Sequence, residues 1–115
     1  MITKGIRGAI TVEENSVDAL KVATIELLSA IFKENNLVAE NISHIIFTTT
    51  KDLDAAFPAK FARLDMGLSE TAMMCFNEID VPQAIEKCLR VLVVTNCAED
   101  FKPKFIYLKG AAYLR

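Results

Sequence analysis

Two arginines stand inside apolar segments that are typical of β-strands, and they are the residues best placed to do chemistry. Arg7 lies within Ile2–Val12, and Arg90 directly precedes the apolar run Val91–Val94. A guanidinium group is always charged in a protein and is rarely buried without a partner. Each arginine therefore needs either a carboxylate of this chain or an anionic ligand.

The pattern around Arg7 favours an anionic ligand. The even-numbered residues of this first segment are mostly large and apolar, which predicts that they form the core face of a strand. The other face carries the small residues Thr3, Gly5, Ala9 and Thr11. Arg7 is the only long side chain among them, so we expect a positively charged floor with open space above it.

Other polar residues could join such a site, although each also has a simpler explanation. Lys60 and Arg63 fall on a predicted helix, where charged side chains usually face solvent. Cys75 follows two methionines and could be a small core residue. Glu78 could simply neutralise a nearby arginine, and Tyr107 could be a core residue with its hydroxyl at the surface. Spacing alone does not separate these alternatives.

The composition argues against several classes of function. The chain has 115 residues and a net charge of −2, which predicts one domain over residues 1–115 and no general attraction to nucleic acid. Its four glycines form no phosphate-binding motif, which argues against a nucleotide site. The three cysteines lack metal-site spacing and His44 is the only histidine, so we expect neither a metal nor a cofactor.

The same composition predicts a cytoplasmic protein that associates with itself. No apolar run is long enough to cross a membrane, and Met1–Lys4 lead directly into a strand pattern, unlike a signal peptide. An odd number of unpaired cysteines fits a reducing compartment. Hydrophobic residues make up 52% of the chain, and such an apolar surplus without a membrane segment predicts a subunit interface.

Two helices and five strands are predicted to position these residues, in a mixed α/β or α+β domain with one long helix across a sheet. The long helix begins near Asn15 or Ser16 and ends at Asn35–Asn36, and the second runs from Pro58 to about Met66. The predicted strands are Ile2–Val12, His44–Thr50, Thr71–Asn77, Lys87–Cys97 and Phe105–Leu108. A short helical turn is expected near Asp80 and Pro82, and a tail is expected over Ala111–Arg115.

Six segments, taken together, resemble the AroH class of monofunctional chorismate mutases. Each is a weak signal alone, but they follow in register from residue 4 to residue 115. One departure is Met74, where many relatives carry threonine. The segments are Arg7–Val12, Phe57–Lys60 with Arg63, Cys75–Val81, Leu89–Val91, Tyr107–Leu108 and Leu114–Arg115.

The resemblance implies a homotrimer with a pseudo-α/β barrel arrangement and active sites between subunits. The implied reaction is the Claisen rearrangement of chorismate to prephenate, the branch step towards phenylalanine and tyrosine. One subunit would supply Phe57, Ala59, Lys60 and Arg63, and its neighbour would supply Arg7, Met74, Cys75, Glu78, Arg90, Tyr107 and Leu114.

The resemblance also implies roles for these residues. Arg90 would stabilise the negative charge that develops on the ether oxygen as the C–O bond breaks. Glu78 and Cys75 would bind the ring hydroxyl, and Glu78 could balance the developing ring cation. Arg7 and Tyr107 would bind one carboxylate of the substrate, and Lys60, Arg63 and Arg115 would bind the other. Phe57 and Leu114 would form apolar walls around the substrate.

Two other classes of protein stay open at this point. Trimeric imine hydrolases of the Rid/YjgF type also place an arginine at subunit interfaces, but their signature segments are not evident here. A non-catalytic trimer that binds dicarboxylates would need the cations, yet binding alone does not accelerate a reaction. Such a protein has no use for Glu78 in its pocket, so the sequence favours the mutase.

Overall fold

A computed structural model describes residues 1–114, and the five strands form one mixed sheet. The strands are β1 (Ile2–Thr11), β2 (Ile42–Thr49), β3 (Ala72–Asn77), β4 (Cys88–Cys97) and β5 (Ile106–Leu108). Their order across the sheet is β3-β2-β4-β1-β5. The central strand β4 runs antiparallel to β1 and β2, whereas the edge strands β5 and β3 run parallel to their neighbours.

Two helices, α1 (Val17–Glu34) and α2 (Pro58–Asp65), begin and end close to the predicted residues. The Ser16 hydroxyl accepts a hydrogen bond from the Ala19 N–H at 3.1 Å, which satisfies one of the free donors at the start of α1. The buried Asn35 amide ends the helix, because it bonds both the Ile31 carbonyl and the backbone of Lys104. No helix within residues 1–114 combines the length and the apolar character needed to cross a membrane.

The main core lies between the helices and one face of the sheet. Ile6 and Ile10 of β1 are fully buried against the apolar stripe of α1, as the alternation in the sequence predicted. Gly8 lies on this face as well, and its lack of a side chain lets α1 approach the strand closely. The largest fully buried apolar side chains of the other elements are Leu20, Leu27, Leu28, Ile31, Ile45, Phe47, Leu89 and Val93.

The opposite face of the sheet is covered only in part. A 3₁₀ helix, Lys109–Leu114, packs on it next to a small cluster that contains Ala9 and Tyr107. Elsewhere on this face Leu92 is half-buried, and Met74 is 61% exposed. An apolar sheet face that the described chain leaves uncovered agrees with the predicted subunit interface.

Two predicted segments are wrong. The expected helical turn near Asp80 and Pro82 is a tight turn, in which the Ala84 N–H bonds the Val81 carbonyl at 3.1 Å. Gln83 has a φ of +67°, a left-handed value that cannot continue a helix. The expected tail after Gly110 is the 3₁₀ helix instead.

That 3₁₀ helix is held by a long-range contact. The Gly110 N–H donates to the Thr11 hydroxyl at 2.9 Å, and Ala111 is buried against β1 and β5. A Cβ at position 110 would lie 2.9 Å from that hydroxyl oxygen, so the close approach requires glycine. The pairing joins residues 99 positions apart, and local sequence pattern does not reveal it.

We expect Gly8→Ala to destabilise the fold by about 1–3 kcal/mol, the usual cost of overpacking a core. A Cβ there would lie 2.6 Å from Ile31 Cδ1 and 3.1 Å from the Ile106 carbonyl oxygen. Ile31→Val removes the nearer atom and costs about 0.5–1.5 kcal/mol alone. Urea unfolding should therefore show the double variant to be less destabilised than the sum of the single variants. Simple additivity would contradict the clash with Ile31.

Candidate active site

Five of the predicted residues line one cavity on the partly covered face of the sheet. Its volume is about 310 Å³, and it lies above the central strands β1 and β4. The predicted residues in its wall are Arg7, Glu78, Arg90, Tyr107 and Leu114. Its other lining residues, which the sequence did not single out, are Gly8, Ile46, Thr48, Val91 and Leu92.

The strand register explains why these side chains meet. On β4, Arg90 pairs with Ala9 on one side and with Thr48 on the other, and Ala9 in turn pairs with Tyr107. Directly paired residues point to the same face, so these four form one row across the sheet. Arg7 lies on the same face one row along, opposite Leu92. Ala9, which lies between Arg90 and Tyr107 in this row, is fully buried in the small cluster with Tyr107 and Ala111.

Arg90 is only partly neutralised by its nearest carboxylate. Its Nε lies 3.5 Å from Oε2 of Glu78, and the two side chains are 36% and 24% exposed. That distance counts as an ion pair, but Nε is buried and makes no hydrogen bond to any residue from 1 to 114. The same Glu78 oxygen accepts a hydrogen bond from the Thr48 hydroxyl. The carboxylate is therefore shared between the two side chains.

Arg7 forms no ion pair with any described residue, although aromatic rings flank it. Its guanidinium carbon lies 6.0 Å from the ring centroids of both Phe105 and Tyr107, at the outer limit of a cation–π contact. Two guanidinium groups and one carboxylate thus surround this cavity. The excess positive charge suits an anionic ligand, as the first strand predicted.

The other predicted residues line a second cavity, also of about 310 Å³, at the β3 edge of the sheet. Phe57 precedes α2 and is 72% exposed, and Lys60 and Arg63 are exposed on the helix. Neither cation forms an ion pair with another described residue. The lining residues are Phe57, Ala59, Lys60, Arg63, Met73, Met74 and Cys75.

The Cys75 thiol is a neutral group in this second cavity. Burial raises the pKa of the thiol, and a hydrogen bond from the Ala59 N–H opposes this effect only in part. The thiol therefore stays protonated near neutral pH and can donate a weak hydrogen bond. Cys75 pairs with Phe47 of β2, which places its side chain on the α2 side of the sheet.

The structure corrects the predicted grouping of two residues. Met74 and Cys75 were expected beside Arg7, but they line the second cavity with Phe57 and Lys60. The reason is the strand order, because β2 and β4 separate β3 from β1. Glu78 follows β3 closely in sequence, yet its N–H bonds the Thr49 carbonyl at 2.9 Å and the residue joins the first cavity.

Arg115, which was also expected at the site, lies outside the described residues. Thr48 was missed, because both faces of β2 mix polar and apolar residues in the sequence and only the burial in the structure separates them. The half-buried residues His44, Ile46 and Thr48 alternate with the buried residues of β2, so they share the face that carries Arg90. Within residues 1–114, no three potential metal ligands lie close enough together to hold an ion.

Comparisons with known proteins agree on one family. A family model described as chorismate mutase type I matches residues 3–115. The chain belongs to the chorismate mutase family. A relative named chorismate mutase AroH, from Thermus thermophilus, is 38% identical over 117 residues, which cover 99% of this chain and 94% of the relative. The AroH chorismate mutase of Bacillus subtilis (strain 168) is 35% identical, and 100% of this chain and 91% of the relative are covered.

A solved structure of the same family supports the fold. The chorismate mutase from Clostridium thermocellum Cth-682 is 50% identical and superposes with a TM-score of 0.92, covering 96% of this chain and 98% of that chain. These findings confirm the predicted family, its mixed α+β fold and its isomerase activity in aromatic amino-acid biosynthesis. The homotrimer and the roles of single residues stay predictions.

A hydrogen-bond network holds the β2–α2 loop of this chorismate mutase against the start of β4. The Asp52 carboxylate accepts hydrogen bonds from the Thr50 hydroxyl and from the Lys87 N–H, the latter at 2.9 Å. The Cys88 N–H donates to the Thr50 hydroxyl at 3.0 Å. The network ends two residues before Arg90, so it fixes the point at which that strand enters the sheet.

The same network sets the protonation of Asp52. Burial alone would raise the pKa of this carboxyl, but the hydrogen bonds from Thr50 and from backbone N–H groups, together with the charge of Lys87, lower it below its ordinary value. A carboxyl whose pKa falls on folding stabilises the fold above its unfolded pKa. This contribution is lost as the pH drops through the folded value.

We expect Asp52→Asn to lower the free energy of unfolding by about 1 kcal/mol at pH 7, since a part-exposed hydrogen bond to a charged group is lost. The difference from the unchanged protein should begin to shrink as the pH falls below about 4, the ordinary pKa of an aspartate. It should vanish once the pH is below the lowered pKa of the folded state, because Asp52 is then protonated in both states. Urea unfolding at several pH values between neutral and acid measures this difference in the free energy of unfolding. A difference that stays constant over this range would exclude the carboxylate as its cause.

Proposed function

We propose that this chorismate mutase binds chorismate between two subunits of a homotrimer and accelerates its rearrangement electrostatically, without a metal or a cofactor. The observation that carries the proposal is the partly neutralised guanidinium of Arg90 at the wall of a cavity that Arg7 also lines. Chorismate is a dianion, and its rearrangement develops negative charge on an ether oxygen. A site with fixed cations matches both properties.

A shared site accounts for the two separate cavities. Each cavity contains cations without partners among the described residues, and the two lie over different strands of one sheet. One chain does not bring them together. A closed trimer repeats one contact three times, so the first cavity of each subunit can face the second cavity of its neighbour. The uncovered apolar sheet face and the exposed ring of Phe57 supply surface for such a contact.

The chemistry asks only for charge and shape. A [3,3] rearrangement is unimolecular, needs no nucleophile and transfers no proton as the bonds change. The C–O bond breaks ahead of C–C bond formation, so negative charge grows on the ether oxygen and the ring becomes cationic. Arg90 faces the ether oxygen in our proposal, and its guanidinium stabilises the transition state more than the bound substrate. Glu78 balances the ring cation and accepts a hydrogen bond from the ring hydroxyl.

The remaining residues hold chorismate in its reactive conformation. Arg7 and the Tyr107 hydroxyl bind one carboxylate from the side of the first cavity. The neighbouring subunit supplies Lys60 and Arg63 for the other carboxylate, and the protonated Cys75 thiol lies near the ring hydroxyl. Apolar walls from Leu114 and from the neighbour's Phe57 favour the compact chair form, in which the reacting carbon atoms are close. We also propose a cytoplasmic location, which fits a role in aromatic amino-acid biosynthesis.

We expect Arg90→Ala to lower kcat by roughly a hundred- to thousand-fold, because a preorganised donor to the developing negative charge is lost. Arg90→Lys should fall nearly as far, since lysine lacks the planar fork of the guanidinium. Loss of chorismate absorbance with the purified protein measures the rate. The control is Lys33→Ala, an exposed cation on α1, which should leave kcat unchanged. Near-normal activity in Arg90→Ala would remove the basis of this mechanism.

A mixing experiment tests whether the site is shared. Arg90→Ala damages only the first cavity, and the double variant Lys60→Ala with Arg63→Ala damages only the second. When the two proteins are unfolded and refolded together in equal amounts, random assembly gives about a quarter of the sites two intact halves. Activity should therefore exceed the sum of the two variants refolded separately. No gain on mixing would show that one chain supplies the complete site.

A further inference from the structure

We propose that Thr48 is a positioning residue whose hydroxyl keeps the Glu78 carboxylate from closing fully on Arg90. The inference rests on the proposed function, since it takes Arg90 as the group that faces the ether oxygen. Thr48 need not touch the substrate for this role. It acts on Glu78, and through Glu78 on the charge that Arg90 presents to the cavity.

Two contacts and one unpaired donor in the structure carry the inference. The Thr48 hydroxyl donates to Oε2 of Glu78, and Nε of Arg90 lies 3.5 Å from the same oxygen. Nε is nevertheless buried without a hydrogen bond to any described residue. A buried donor left unpaired is costly, so the geometry that leaves it unpaired must be held by something stronger. The hydrogen bond from Thr48 is the contact that holds the shared oxygen.

The backbone makes this arrangement rigid. Thr48 and Arg90 are direct partners in the β2–β4 pairing, so their side chains stand beside each other on one face. The Glu78 N–H bonds the Thr49 carbonyl at 2.9 Å, which fixes the main chain of Glu78 to the same strand. Glu78 is therefore attached to β2 twice, once through its backbone and once through its carboxylate.

The hydroxyl has a consequence for binding and for the chemical step. Arginine and a carboxylate prefer a close pair with two parallel hydrogen bonds. If Glu78 formed such a pair, its charge would cancel that of Arg90, and chorismate would have to break the pair to reach the guanidinium. Sharing the carboxylate with Thr48 keeps Glu78 from closing on the terminal nitrogens of Arg90, which can then bind the substrate.

Thr48→Val removes the hydroxyl and keeps the branched shape. We expect it to raise KM, lower kcat and reduce kcat/KM by about tenfold or more, while Thr48→Ser should stay within about threefold of the unchanged protein. Thr24→Val is the matched control, because its buried hydroxyl bonds the Leu20 carbonyl at 2.7 Å on α1, far from the site. It should change stability and leave kcat and KM unchanged. Thr48→Ala replaces the valine variant if that protein does not fold.

A second background separates positioning from a merely structural role. Without Glu78 the hydroxyl has no carboxylate to hold, so adding Thr48→Val to Glu78→Ala should change kcat/KM less than twofold. An equal loss in both backgrounds, or unchanged kinetics in Thr48→Val, overturns the inference. Both outcomes leave the proposed function intact when the unchanged protein is active and Arg90→Ala is not. If the unchanged protein does not convert chorismate, the proposed function itself is wrong.

Discussion

The positive charge of Arg90 is held on the central strand of the sheet and is only partly neutralised there. The strand register on both sides of β4 produces this arrangement, because Arg90 pairs with the small Ala9 of β1 and with the hydroxyl-bearing Thr48 of β2. A second carboxylate beside Arg90 would cancel its charge. Much of the architecture serves this one constraint, since the two strands that flank β4 must stay in a fixed register for the cavity to exist.

The sheet meets this constraint by packing its main core on one side only. Both α-helices pack against the face that carries Ile6 and Ile10, and Gly8 lets α1 approach closely. The stability of the fold is therefore concentrated away from the site. The other face keeps apolar side chains half-exposed, and its two arginines are at most partly neutralised. A monomer gains nothing from such a face, whereas an assembly of copies can use it both as an interface and as a site.

Local patterns in the sequence predicted the parts of the structure that are themselves local. Alternation along β1 identified Arg7, and the capping residue and proline located the starts of α1 and α2. Contacts between distant segments were beyond such patterns. The bond from Gly110 to Thr11 converts an expected tail into a 3₁₀ helix, and the strand order separates Cys75 from Arg7. Thr48 was missed, because its position beside Arg90 depends on the β2–β4 register, which the sequence does not show.

A site divided between subunits, as we propose, also links assembly to catalysis. In the single chain Arg7, Lys60 and Arg63 are exposed, so water screens their charges and weakens their hold on an anion. Covering them with a neighbouring subunit removes that water, and the same charges then act through a medium of lower polarity. The dianionic substrate supplies the negative charge that makes such burial tolerable. Substrate binding and trimer formation should consequently stabilise each other, because assembly removes water from the cations and the substrate neutralises their buried charge.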